Sequence, residues 1–305
     1  MDKWTLFKKI TRFGTIPVML IPVVLGTVGA YVWGESFHPF LFVITIIGAV
    51  AAHLFSNMVN DLWDFRNGTD TEAKNTPGMI STNSGFLSGG LMPESLFASL
   101  TWGLLAVAVA CGLILSISSG WETLWFVAAG ALIAYFYVAP PLRFGYRGKG
   151  YSEFAIFVAF GIMPVLGSYF VQTGEFSLKP VLLSVPVGLL TTLLLFNHHF
   201  LHWRADKQAG KRTLVVVWGE RKALQFSQIL LLISYVSVVG CVIFGVLPVY
   251  ALLALLTAIA PVHVYRSLQP QNASPAYLPL MGASQQASVR CGAIMALALL
   301  IQGLI

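Results

Sequence analysis

Long apolar runs separated by short polar intervals pattern this chain from end to end. They fall at about 13–33, 38–60, 96–117, 121–139, 152–172, 180–201, 223–245, 247–265 and 289–305. Each approaches the ~20 residues of helix that cross a hydrocarbon core. Backbone groups in lipid must find their hydrogen bonds within the segment, so the runs predict helices. Pro17, Pro22, Pro164 and Pro186 fall inside spans, where a kink frees backbone to line a cavity. The expectation is an all-α, multi-pass membrane protein. It has about nine transmembrane helices around a central cavity, in a single domain over residues 1–305.

Composition and charge add an orientation. The chain is 57% hydrophobic and 10% charged, with mean hydropathy +0.78, where a soluble domain carries about 25% charged residues. Its net charge of +6 would suit nucleic acid only if gathered on a solvated face. Instead, with a cytoplasmic N-terminus, the segments 1–12, 61–95, 140–151, 202–222 and 266–288 and their borders hold every Lys and Arg of the 18 except Lys179. That asymmetry is the positive-inside pattern. The partner is therefore a lipid bilayer and no nucleic acid: an inner (plasma) membrane, with the C-terminus on the side opposite the cytoplasm and the cavity opening to the cytoplasmic face. Met1–Arg12, carrying Lys3, Lys8, Lys9 and Arg12, reads as a basic interfacial lead-in to an uncleaved first helix. Cys111, Cys241 and Cys291 stand far apart in apolar stretches and predict neither a zinc site nor a disulfide framework.

The long polar intervals follow the second and sixth spans, so chemistry is expected there. The second span runs into Asn57-Met-Val-Asn60-Asp61-Leu-Trp-Asp64-Phe-Arg66-Asn-Gly68-Thr-Asp70-Thr71. Continued as a helix, this places Asn57, Asn60, Asp61 and Asp64 on one face. Two carboxylates one turn apart, with Asp70 beyond, repel each other unless a cation sits between them. Such an oxygen-rich set suits Mg2+ shared with substrate phosphates, and Arg66 and Lys74 are available to meet the phosphate itself. Acidic residues at a membrane boundary are costly and mark function, although Asp, Asn and Gly are also ordinary at a solvated helix end.

The stretch Asn60-Asp61-x-x-Asp64-Phe-x-x-Gly68-x-Asp70-Thr71 resembles the first aspartate-rich motif of the UbiA superfamily of intramembrane prenyltransferases. Its Phe-x-x-Gly-x-Asp-Thr continuation is most similar to the branch that prenylates 1,4-dihydroxy-2-naphthoate in menaquinone synthesis, as is Ser84-Gly-Phe-Leu-Ser-Gly-Gly-Leu91. Thr15-Ile-Pro17 through Gly26 looks like the family's first helix, and Tyr137-x-Ala-Pro-Pro-Leu-Arg143 through Glu153 like its fourth-to-fifth connection.

After the sixth span comes His198-His199-Phe-Leu-His202-Trp-Arg204-Ala-Asp206-Lys207-Gln-Ala-Gly210-Lys211-Arg212-Thr213-Leu214. Asp206 to Leu214 is similar to the end of the family's second aspartate motif. The front departs from it: His198 and His202 stand where the family has Asn and Asp. Asn197 is one residue, about 100° of helix, out of register. As a continuous helix, His198, His202 and Asp206 would form one stripe, with His199 reaching His202. Three readings stay open: histidines bonding the diphosphate, histidines holding a softer ion such as Zn2+, Fe2+ or Mn2+, or a second metal site that has decayed.

The resemblance implies an Mg2+-dependent aromatic prenyltransferase. A polyprenyl diphosphate donor would bind through Mg2+ on Asp61, Asp64, Asp70 and Asp206, with His198 and His202 as further candidate ligands. Asp61, Asp64, Asp206 and His202 are the expected catalytic residues. Asn57, Asn60, Arg66, Tyr137, Arg143, Arg147, Lys149, His198, Lys211 and Arg212 are the expected substrate-binding ones. The basic residues among these serve equally as lipid-headgroup anchors, and aromatics such as Tyr137 as interfacial anchors. The acceptor is expected to be an aromatic of the naphthoate type. A different acceptor on the same fold, or a non-catalytic carrier of prenyl diphosphate or quinone, are the rivals that the altered second motif favours.

Overall fold

The structure, a computed structural model, describes residues 2–69 and 84–305. Among these the regular structure is entirely helical. An amphipathic α1 (Lys3–Ile10) is capped by the Asp2 carboxylate, which accepts the Thr5 N–H at 2.8 Å. The spans follow as α2 (Ile16–Gly34), α3 (Pro39–Arg66), α4 (Glu94–Ser119), α5 (Thr123–Phe136), α6 (Tyr151–Thr173) and α7 (Leu178–His199). Two short helices, α8 (Trp203–Gln208) and α9 (Leu214–Trp218), precede α10 (Glu220–Ile243), α11 (Val249–Ser267) and α12 (Leu278–Leu304). Among the described residues, eight segments are long and apolar enough to cross a membrane; α5, with 14 residues, is the shorter apolar helix that completes the nine expected runs. The chain is an integral membrane protein.

Two expected boundaries move. The last span begins near Leu278 rather than 289, because the polar stretch Ser284–Ser288 is not a solvated loop. Ser284 and Ser288 are buried against α7, where Ser284 Oγ meets Asn197 Nδ2 at 2.9 Å and Ser288 Oγ meets Thr191 Oγ1 at 3.2 Å. The helix after the sixth span also breaks: α7 ends at His199, so His198, His202 and Asp206 do not form one continuous helical stripe. The chain turns there to bury Phe200 and Leu201 completely, with the Phe200 ring stacked on Tyr277 at 4.6 Å.

The bundle is solid on one side and hollow on the other. α7, α10, α11 and α12, with part of α2, share one continuous apolar core that includes Leu183, Leu190, Val238, Leu280 and Met295. On the other side α2 packs on α6, α3 on α4 and α5, and α5 on α6, leaving space between them. A π-helical turn, Val158–Ile162, sits just ahead of Pro164 in α6. Proline has no N–H to continue the i→i−4 ladder, and the register slips there.

Glycine sets the closeness of α6 to its neighbours. A Cβ on Gly161 would lie 2.6 Å from the Gly188 Cα of α7, and one on Gly26 would lie 2.1 Å from the Val165 carbonyl oxygen. Small residues at such crossings let helix backbones approach where lipid offers no hydrophobic drive. Gly161→Ala is expected to lower the thermal midpoint of the detergent-solubilised protein, the overpacking costing about 1–3 kcal/mol. Gly240→Ala, where a Cβ meets nothing within 4 Å, should leave the midpoint unchanged or raise it.

Candidate functional site

The hollow side holds a cavity of about 350 Å³ bounded by α2 through α7 and the loop after α8. Its lining is polarised. At one end stand Arg12, Asn57, Asn60, Asp64, Thr69, Tyr137, His198, His199, His202, Asp206 and Lys211. Toward the other the walls are small or apolar, among them Ala108, Leu115, Phe126, Gly130 and Val171. This shape suits an amphiphile with an anionic head and a long hydrocarbon tail.

The head end is built on the last turns of α3. Asp61 and Asp64 are both buried there, and each carboxylate is met by a cation from a distant part of the chain. The Arg12 guanidinium donates to Asp61 Oδ1, while the Ser84 N–H donates to Asp61 Oδ2 at 2.8 Å. Lys211 Nζ donates to Asp64 Oδ2 at 3.1 Å, and the Tyr146 hydroxyl donates to Asp64 Oδ1. Burial alone would push the Lys211 ammonium down, but Asp64 and Asp206 outweigh it and hold its pKa well above the ordinary value. Tyr146 is pushed up by burial and by the Asp64 charge. Its hydroxyl also receives the Asn67 amide at 3.2 Å.

Local backbone places these groups. Arg12 adopts a left-handed conformation, φ 54°, between α1 and the helical turn Phe13–Thr15. Gly148, at φ 61°, lets the loop before α6 touch the one after α8: a Cβ there would sit 2.4 Å from the Arg212 carbonyl oxygen, and the Arg212 N–H donates to the Tyr146 carbonyl at 3.0 Å.

The histidines gather despite the broken helix. The His198 and His202 rings meet edge-to-face at 4.8 Å, and His199 lies 6.3 Å from each. His202 Nε2 is 3.6 Å from Asp206 Oδ2. Burial, followed by the neighbouring imidazole and Lys211, drives the His202 pKa well below the ordinary value, so its ring is neutral. Asn197 faces away from the cavity into a buried network with Tyr265, Ser284 and Ser227.

Other expected site residues lie elsewhere. Arg66 pairs with Glu94 at 2.7 Å and covers Trp63. Arg147 caps the Leu142 carbonyl at 2.6 Å, and Lys149 and Arg212 are exposed. Arg143 is half-buried and is absent from the lining, as is Asp61 itself. Asp70 and Lys74 fall outside the described residues. Several residues in the head end were not among those expected there, Thr69 and Tyr146 among them, and two stand out. Arg12 reads in sequence as a membrane anchor, and its only distinguishing mark is that it closes the basic run immediately before the first span. His53 reads as a lone core histidine, yet its Nε2 bonds Thr15 Oγ1 at 2.8 Å and its ring lines the cavity.

An oxygen-seeking divalent cation fits this donor set. Asp64 and Asp206 line the cavity, and Asn60 Oδ1, an acceptor only, is buried in its wall with no hydrogen-bond partner among the described residues. Among the described residues, no three His, Cys, Asp or Glu side chains have a geometry that could hold a metal between them.

Helices wrapped around a polarised intramembrane cavity, with paired aspartates at its mouth, define a class of protein that handles amphiphiles within the bilayer. Residues 19–282 match the UbiA prenyltransferase family, and the chain belongs to that family. It is 24% identical over 293 residues to a 1,4-dihydroxy-2-naphthoate octaprenyltransferase of Bacillus subtilis, covering 96% of this chain and 91% of that protein. It is 27% identical over 272 residues to the protein so named in Escherichia coli, covering 86% and 85%. A 2-carboxy-1,4-naphthoquinone phytyltransferase of Synechocystis is 27% identical, covering 75% and 70%. The fold matches that of a UbiA homolog from Archaeoglobus fulgidus bound to GPP and Mg2+, with TM-score 0.66 and 16% identity over 95% of this chain and 99% of that one.

The Lys211–Asp64 pair is open to a stability test. Lys211→Met leaves Asp64 buried beside the Tyr146 hydroxyl alone, and breaking such a pair costs about 3–5 kcal/mol. The double variant Asp64→Asn, Lys211→Met is expected to recover most of that loss in thermal unfolding. Equal or additive losses would show that the pair contributes nothing as a pair.

Proposed function

We propose that this chain transfers a polyprenyl group from its diphosphate to a 1,4-dihydroxy-2-naphthoate-type acceptor, the prenylation step of menaquinone synthesis. One observation carries the reading: a cavity with two buried aspartates and two cations at its polar end and an apolar tail region running on between α3, α4, α5 and α6. The names of the Bacillus and Escherichia relatives support the acceptor. The cavity mouth, by charge asymmetry, faces the cytoplasm.

The head end would receive the diphosphate. Asn60, Asp64 and Asp206, which line the cavity, would hold Mg2+, with Asp61 on the same helix paired to Arg12; the ion would supply positive charge to the leaving diphosphate and polarise its bond to carbon. Arg12 and Lys211 stand beside the same carboxylates, close enough to pass hydrogen bonds to phosphate oxygens as negative charge develops there. The allylic C–O bond breaks with its electron pair leaving on the diphosphate. The acceptor ring then bonds the allylic carbon at the carbon bearing the carboxylate, and loss of carbon dioxide returns an electron pair to the ring. The walls around Ala159, Phe160 and Met163 keep water from the cationic carbon meanwhile.

The reading is tested with purified protein in detergent or nanodiscs, Mg2+, a panel of prenyl diphosphates and dihydroxynaphthoate, with products identified by mass spectrometry. A prenylated, decarboxylated product is expected, with activity abolished by a chelator and lowered at least a hundredfold by Asp64→Ala. Failure of the wild type to form product with any donor and acceptor sinks the proposal.

Tail recognition gives a further test. Gly130 lies about two turns along α5 from Tyr137 and lines the cavity, where a Cβ would meet only Met163 Cε at 3.5 Å. Gly130→Leu is expected to spare turnover of geranyl diphosphate while lowering that of long polyprenyl donors at least tenfold. Equal loss on short and long donors would show that the tail does not pass this wall.

A further inference from the structure

Among the described residues, several polar atoms of the head end have no hydrogen-bond partner, among them His199 Nδ1, His202 Nδ1, His53 Nδ1 and the Tyr137 hydroxyl. All four belong to cavity-lining residues, and His199 and His202 are more than nine-tenths buried. Buried polar atoms are nearly always satisfied, so several gathered in the wall of one cavity mark a place where a ligand with polar atoms of its own could complete them as the side chains turn to meet it.

The chemistry of the group narrows that ligand. A neutral imidazole offers one N–H donor and one lone pair. Diphosphate oxygens accept only, so they would leave the ring lone pairs unmet, and two full cations, Arg12 and Lys211, already stand at the head end for them. A metal is no better match. Among the described residues, no three His, Cys, Asp or Glu side chains come together in a geometry that could hold a metal, so the imidazoles do not form a metal site of their own. A hydroxyl both donates and accepts, and so complements an imidazole in either tautomer. Apolar surface for a flat ring stands alongside: Leu195 lies one turn before His199 on α7, and the Phe160 ring meets His53 edge-on at 5.4 Å.

We propose that the His198–His199–His202 group is the seat of the hydroxylated aromatic acceptor, with His199 Nδ1 and His202 Nδ1 bonding its ring oxygens and the edge-on His198–His202 contact holding the second ring in place. The proposal rests on the prenyltransferase reading and assigns a role to the segment that replaces the family's Asn and Asp. On this assignment acceptor and diphosphate occupy separate parts of the head end: the acceptor against α7, the diphosphate between α3 and Lys211.

The test uses binding, apart from turnover. Full-length protein in nanodiscs is titrated anaerobically with 1,4-dihydroxy-2-naphthoate, and separately with geranyl diphosphate plus Mg2+, for wild type, His202→Phe, His199→Leu and His202→Asn. The first two variants are expected to weaken naphthoate binding at least tenfold while changing the geranyl diphosphate affinity and the bound Mg2+ less than twofold. His202→Asn, which restores a donor and an acceptor, should recover part of the loss. Unchanged donor binding also certifies that each variant is folded. The proposal is overturned if naphthoate does not bind the wild type, if donor affinity or bound metal falls in its place, or if nothing changes. A wild type that binds naphthoate but makes no product overturns the prenyltransferase reading alone.

Discussion

Two carboxylates buried at the C-terminal end of a membrane helix dictate much of what surrounds them. Asp61 and Asp64 sit one turn apart on α3, 2% and 7% exposed, in surroundings where an unpaired charge is expensive. The chain answers each with a cation drawn from far away in sequence: Arg12, before the first span, and Lys211, after the sixth. These two pairs tie the N-terminal segment and the loop after α8 to the same two turns of α3. Neither segment could be displaced without leaving a buried carboxylate short of its counter-charge. The loop before α6 is drawn in by the same constraint, since Tyr146 gives its hydroxyl proton to Asp64 and its carbonyl to Arg212.

A bundle cannot be both tightly packed and receptive to a long hydrocarbon tail, and this one divides the two tasks between its halves. The continuous core of α7, α10, α11 and α12 needs no ligand to fill it. The half from α2 to α6 keeps its helices in contact through glycine at a few points, such as Gly48 against Cys111 and Gly112 against Val127, and leaves the space between them open. α7 belongs to both halves. Its buried face joins the core while His198 and His199, at its last turn, face the cavity.

The fold was largely legible in the chain because lipid allows few alternatives: an apolar run of sufficient length must be a helix, and all nine runs appear as helices. The misplaced start of α12 has a clear cause. Ser284, Gln285 and Ser288 are polar because they bond other helices and the Gly14 carbonyl, and hydropathy alone does not separate a residue facing protein from one facing water. The first aspartate motif was legible because its spacing is local and helical. The long-range pairings were not: nothing in the sequence joins Arg12 to Asp61 across 49 residues, and a basic residue before a span looks the same whether it meets lipid or a carboxylate. The expected basic residues divide for the complementary reason: Lys211 lines the cavity, while Arg147 gives its N–H groups to the Leu142 and Pro141 carbonyls of its own loop and Arg66 pairs with Glu94, so charge in a polar interval does not by itself put a side chain in the cavity.

The rewritten second motif follows from the same physics that buries the first. An aspartate in the place of His202 would add a third negative charge beside Asp206 and near Asp64, where Lys211 and Arg12 are already paired with Asp64 and Asp61. A neutral imidazole removes that demand while keeping both a donor and an acceptor in the wall. The cost is a set of unmet nitrogens, each worth about 1–3 kcal/mol when buried without a partner, and that cost is recovered only when a ligand supplies the missing bonds. A site that is under-bonded in this way when vacant favours a small polar occupant over hydrocarbon. It would keep the prenyl tail out of the region where the aromatic ring must lie, leaving the apolar walls between α4, α5 and α6 as the tail's only favourable course.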